Sequence, residues 1–137
     1  MNAPDPRPIR IGLADDSRTQ REGFELLLRS QPDLTVVARA GDGAGALAIA
    51  RREPIDVLLM AIRMPRVNGL LAAERIAEDE RVRAHGAPPR IILLAELDLD
   101  EHVPAAAAAG VYAVVYKDIE PEALFETIRG AAVADVG

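Results

Sequence analysis

The chain has 137 residues, 50% of them hydrophobic, enough for one self-sufficient core and too few for a second domain of ordinary size. It has no cysteine, which excludes disulfides and thiolate metal sites, and no basic segment joined to an apolar run of signal-peptide length follows Met1. Those two features make a cytoplasmic protein without membrane contact the expectation, and a formal charge of -6 with 3% aromatic content argues against direct binding to nucleic-acid backbones or single strands.

Residues 1–8 carry three prolines and read as a disordered lead-in to a domain spanning 9–130. The run Ile9 to Ala14 predicts a first strand, which delivers Asp15 and Asp16 at its end. Ser17 can cap the helix that follows, with Gln20 reaching back as in a capping box and Phe24, Leu27 and Leu28 on one face. A second strand, Leu34 to Ala40, leads through Gly41, Gly43 and Gly45 into a helix from about Gly43 to Arg52, stopped before Pro54. Those glycines lack the Lys and Ser/Thr of a phosphate-binding loop and read as a turn.

The third strand, Ile55 to Ala61, is followed by a Met64-Pro65 loop, then Asn68-Gly69, then a helix through Leu70, Ala73, Ile76 and Ala77 that frays near Arg83. Ile91 to Ala95 predicts a fourth strand ending beside Glu96. The next helix, capped at Asp100, carries Pro104 and the run Ala105 to Ala109, so it should start late or be distorted. A fifth strand, Val111 to Tyr116, brings Lys117 and Asp118; its Tyr112 and Tyr116 should share one packed face. The last helix has Pro121 in its first turn, buries Leu124, Phe125 and Ile128, and should end near Gly130, leaving residues 131–137 as a tail or interdomain linker. His85 and His102 have no metal-ligand spacing and read as solvated.

Strand and helix alternate five times, which implies a single α/β domain: a doubly wound, five-stranded parallel sheet of flavodoxin-like (βα)5 type, in strand order 2-1-3-4-5. Ligands in such sheets bind beyond the carboxyl ends of the strands, so Asp15, Asp16, Ala61, Ala95, Glu96 and Lys117 should share one mouth. Two adjacent carboxylates there call for a cation or a base between them, which makes Mg²⁺ with Lys117 opposite a reasonable content. Of the 16 Lys and Arg residues only Lys117 is a lysine, which points to a site that a planar guanidinium would overfill.

The segment Asp56 to Leu70, with the acidic pair upstream and Lys117 downstream, resembles the central motif of bacterial response-regulator receiver domains from about Ile9 to Arg129. Lys117-Asp118 and Leu97 to Glu101 resemble the NarL/LuxR class of two-component regulators. The resemblance implies that Asp15, Asp16 and the backbone carbonyl of Arg63 would hold Mg²⁺. It also implies that residue 61 would accept the phosphoryl group and Lys117 would contact one of its oxygens. A Ser or Thr at 95 would bond another, and an aromatic at 114 would rotate inward. This chain has Ala61, Ala95 and Val114 at those places. Alanine supplies no nucleophile or ligand, so the expectation is a non-enzymatic signalling domain that takes up no phosphate and binds Mg²⁺ weakly. It would use no organic cofactor and would act on a second copy of itself or another signalling protein.

Any contact with DNA would come through a helix-turn-helix output domain not encoded here. Ala61 is either a natural feature or an engineered replacement in an ordinary receiver; Ala95, Val114 and the Pro104-Ala run favour the natural origin. A small Mg-dependent phosphohydrolase using Asp15 is the alternative class, disfavoured because Asp15 and Asp16 are adjacent and no cap domain fits. Flavin binding is disfavoured because the loop after the first strand lacks hydroxyl and glycine residues for a flavin phosphate.

Overall fold

The computed structural model describes residues 7–134. Runs of apolar residues without strict polar alternation form five parallel strands: β1 (Ile9–Ala14), β2 (Leu34–Ala40), β3 (Val57–Ala61), β4 (Arg90–Ala95) and β5 (Ala113–Tyr116), in the order β2-β1-β3-β4-β5. That order is the doubly wound arrangement expected. β3 is buried at every position, as a central strand covered on both faces must be.

Six helices surround the sheet: α1 (Arg18–Arg29), α2 (Gly43–Arg52), α3 (Gly69–Glu78), α4 (Glu80–Arg83), α5 (Leu99–Ala108) and α6 (Pro121–Val133). One face of the sheet packs Leu58, Met60 and Leu93 against Ala46 and Ile49 of α2, Ile76 of α3 and Ala106 of α5. The other packs Ile11, Leu59 and Ile92 against Leu28 of α1 and Leu124, Phe125 and Ile128 of α6. Burial of each of the larger side chains here contributes about 1.5–3 kcal/mol.

Four local expectations are corrected. The helix after β3 does not run unbroken toward Arg83: Asp79 leaves the helical conformation at ψ 126°, and its carboxylate caps a new turn by accepting from the amides of Arg81 and Val82. That carboxylate also pairs with Arg51 at the end of α2. α5 begins at Leu99 and passes through Pro104 without interruption. Pro104 is exposed, so water reaches the backbone where the helical bond is lost. α6 extends to Val133 because Ala131, assigned to the tail, is fully buried. Tyr112 and Tyr116 are both 43% exposed, so neither is a packed core residue. Most of the expected lead-in (residues 1–6) and the end of the expected tail (135–137) lie outside the described residues.

Candidate functional site

β1 ends in Ala14, and the next residue, Asp15, is the one buried charged side chain among the described residues. Its backbone amide bonds the Ala40 carbonyl, which fixes the chain where β1 meets β2. Its Oδ1 accepts from the Ser17 amide at 2.9 Å, and its Oδ2 accepts from Lys117 Nζ at 2.8 Å. The two side chains are 3% and 13% exposed, so water screens the pair poorly and the bond is charge-assisted. Lys117 also donates to Gln20 Oε1 on α1 and to Glu96 Oε1, at 3.3 Å, after β4. Its amide bonds the Ala95 carbonyl, which holds the end of β5 against β4.

Gln20 is a site residue whose side chain has a task other than the expected cap. Its amide does donate to Ser17 Oγ at 3.2 Å, as a capped helix requires, but its side chain turns to Lys117 instead of closing a capping box. A signal was present: Gln20 is a polar residue at helical spacing from Phe24, Leu27 and Leu28, on the face that should be buried. Arg21 is a second site residue that no local pattern marks; its guanidinium donates to the backbone carbonyl of Asp15.

The middle of the mouth is different. Ala61 closes β3 and is 0% exposed; Ala95 closes β4 and is 2% exposed. Both methyl groups belong to the apolar cluster on the α2-α3-α5 side of the sheet. Val114 pairs in register with Leu93 and packs partly buried against the same cluster. Two glycines hold the loop after Ala61. A Cβ at Gly69 would lie 2.3 Å from the Ala61 carbonyl oxygen, and one at Gly43 would lie 2.4 Å from the Val67 carbonyl oxygen. Gly43 is therefore required by close backbone approach, which the turn reading had not supplied. Between the two contacts Arg66 adopts φ 66°, with its side chain toward Asp42.

Asp16 is exposed and lines a groove of about 560 Å³ with Ile62, Arg63, Met64, Asn68 and His102. His102 is half-buried in that groove, so it is not simply solvated, whereas His85 is exposed as expected, with its ring bonding the Arg51 carbonyl at 2.7 Å.

Mg²⁺, implied by the resemblance above, prefers near-octahedral oxygen coordination with one or two carboxylates. Asp15 is already neutralised by the Lys117 ammonium, with which a cation would have to compete, and Ala61 has no oxygen to offer, so the Asp16 carboxylate and the Arg63 carbonyl are the donors without such a competitor. Among the described residues no three acidic or histidine side chains form a metal-ligating cluster. The donor set does not fit a resident Mg²⁺.

A family model for the response regulator receiver domain matches residues 11–129. The chain belongs to the response-regulator receiver family. The receiver is 39% identical over 126 residues to the transcriptional regulatory protein YxjL of Bacillus subtilis, covering 90% of this chain and 54% of that protein. It is 36% identical over 129 residues to the nitrate/nitrite response regulator NarP of Escherichia coli, covering 94% and 57%. Among solved structures, the response regulator domain of Thermotoga maritima CheB superposes with a TM-score of 0.78 at 30% identity, covering 94% of the receiver and 99% of that domain. The receiver thus spans about half the length of these two curated relatives. No described helix is long and apolar enough to cross a membrane.

Proposed function

We propose that this chain is the receiver of a NarL/LuxR-type two-component regulator that accepts no phosphoryl group and signals by binding protein. The observation that carries the reading is Ala61: a buried methyl group closes β3, between the strands that lead to Asp15 and Lys117. Phosphoryl transfer to a protein side chain needs an attacking oxygen, and positioning or charge stabilisation cannot replace it. Ala95 and Val114 support the same reading, since neither a hydrogen bond to a phosphoryl oxygen nor an aromatic rotation is available at those positions. Their coincidence with Ala61 favours a natural origin over a single engineered replacement. The chain is not itself an enzyme, and Mg²⁺ binds it weakly.

The binding face runs over α5, β5 and α6, with a second copy of the chain as first occupant and another signalling protein as the alternative. No charged residue occurs between His102 and Lys117, and Leu97, Val103, Tyr112 and Tyr116 on this side are large, apolar in body and exposed. Regulation of transcription, the role in YxjL's name, would pass through an output domain that contacts DNA. The protein works in the cytoplasm.

Incubation with acetyl phosphate and Mg²⁺, followed by intact-mass spectrometry, should show no added phosphoryl group. A stoichiometric adduct would overturn the reading and direct attention to Asp15 and Asp16. Sedimentation should show self-association without phosphate, lost on Tyr116→Glu.

A further inference from the structure

An ammonium has three donors and no acceptor, and all three of Lys117's are used. The acceptors come from three places in the chain: Asp15 after β1, Gln20 within α1 and Glu96 after β4. Nothing on the ammonium remains free for a phosphoryl oxygen. Each oxygen of the Asp15 carboxylate accepts one hydrogen bond, from the Ser17 amide and from Lys117, and the Arg21 guanidinium on its backbone carbonyl adds a second positive charge beside it.

We infer that Lys117 is the resident cation of this receiver: its ammonium pairs with Asp15 and Glu96 and supplies the positive charge that a divalent ion at Asp15 would otherwise supply. It thereby ties β1, α1 and the β4-α5 connection to β5 without metal or phosphate. The inference rests on the proposed reading of a receiver without an acceptor and deepens it, because it says what fills the site instead.

The physical case is one of competition. A divalent ion seeking Asp15 must break a bond that is almost entirely out of water, and would then sit close to the displaced ammonium and to Arg21. With no oxygen at 61 to compensate, the exchange is unfavourable. Gln20 fits the same account. A neutral acceptor on the buried face of α1 completes the ammonium's set of three without adding a further charge, whereas a leucine there would leave one donor unpaired.

The single lysine makes the test direct, because ¹³C-lysine labelling gives one side-chain signal. In the wild-type protein at constant ionic strength, the Lys117 ε-methylene resonance should stay in place as Mg²⁺ rises to about 10 mM. Electron paramagnetic resonance of free Mn²⁺ should show Lys117→Met binding the ion about tenfold or more tightly than wild type, with Gln20→Leu in between. Saturable movement of the wild-type resonance at submillimolar Mg²⁺, or equal Mn²⁺ affinity in wild type and variants, would overturn the inference. Should Lys117→Met fail to fold, the wild-type resonance and Gln20→Leu decide it. Phosphoryl uptake is read separately by mass, so failure of this inference is distinguishable from failure of the receiver reading.

Discussion

At the carboxyl end of the sheet, β1 and β5 lead into charged groups that find partners, whereas β3 and β4, lying between them, end in methyl groups that pack. The two halves therefore tolerate different changes. A buried charge needs every partner it has, so the Asp15-Lys117 side is sensitive to removal of atoms. A packed methyl needs nothing, so the Ala61-Ala95 side is sensitive to their addition.

The harshest way to probe the packed side is Gly69→Ala. The new Cβ would meet the Ala61 carbonyl oxygen at 2.3 Å and the Ile62 Cα at 3.0 Å, both backbone atoms that cannot swing aside. A loss of about 3 kcal/mol is expected, seen as a lower urea midpoint at unchanged slope. An unchanged midpoint would mean that the loop after β3 yields freely, and the contrast between the two sides would weaken.

Ala61→Asp converts the packed side into a charged one. Placing a carboxylate where a 0% exposed methyl sits should cost about 2 kcal/mol, while giving Lys117 a competing partner and restoring slow phosphoryl uptake from acetyl phosphate with Mg²⁺. The conformational answer should stay small. Moving a two-state domain from 1:99 to 99:1 takes about 5.5 kcal/mol of differential interaction, and Ala95 and Val114 supply neither the hydrogen bond nor the ring movement. A large phosphate-dependent change in amide exchange on α5 would show the readout to be intact.

The smallest effect belongs to the opposite end of the sheet, where Arg10 grips Asp56 through two side-chain bonds, both residues remaining a third or more exposed. Burial pushes the Asp56 carboxyl up, but the Arg10 hydrogen bonds and charge outweigh it and bring the group below its usual value. Such a carboxylate stabilises the fold above its unfolded pKa, and that stability is lost as pH falls through the native value. Asp56→Asn should therefore cost about 1 kcal/mol at neutral pH, with the gap closing below about pH 4. A gap that persists in acid would show that shape, not charge, matters there.

Much of this arrangement was legible from local pattern. Apolar runs located the strands, their count and alternation gave the winding, and the winding placed Asp15, Ala61, Ala95 and Lys117 at one mouth. What escaped depends on partners far away in the chain. Gln20 looks like a capping residue until Lys117, 97 positions on, arrives beside it. Gly43 looks like a flexible turn until the Val67 carbonyl closes on it. The break at Asp79 follows from one carboxylate capping a turn while paired with Arg51, 28 residues away. No window of neighbouring residues contains that information.

Lys117 is the only side-chain amine in the sequence, so an amine-directed acylating reagent has one side chain to find. It can react there only when the nitrogen has let go of Asp15, Gln20 and Glu96. The acylation rate is then a measure of how often the mouth comes apart. Where reclosing outpaces attack it reports the equilibrium of opening, and where attack outpaces reclosing it reports the opening rate itself.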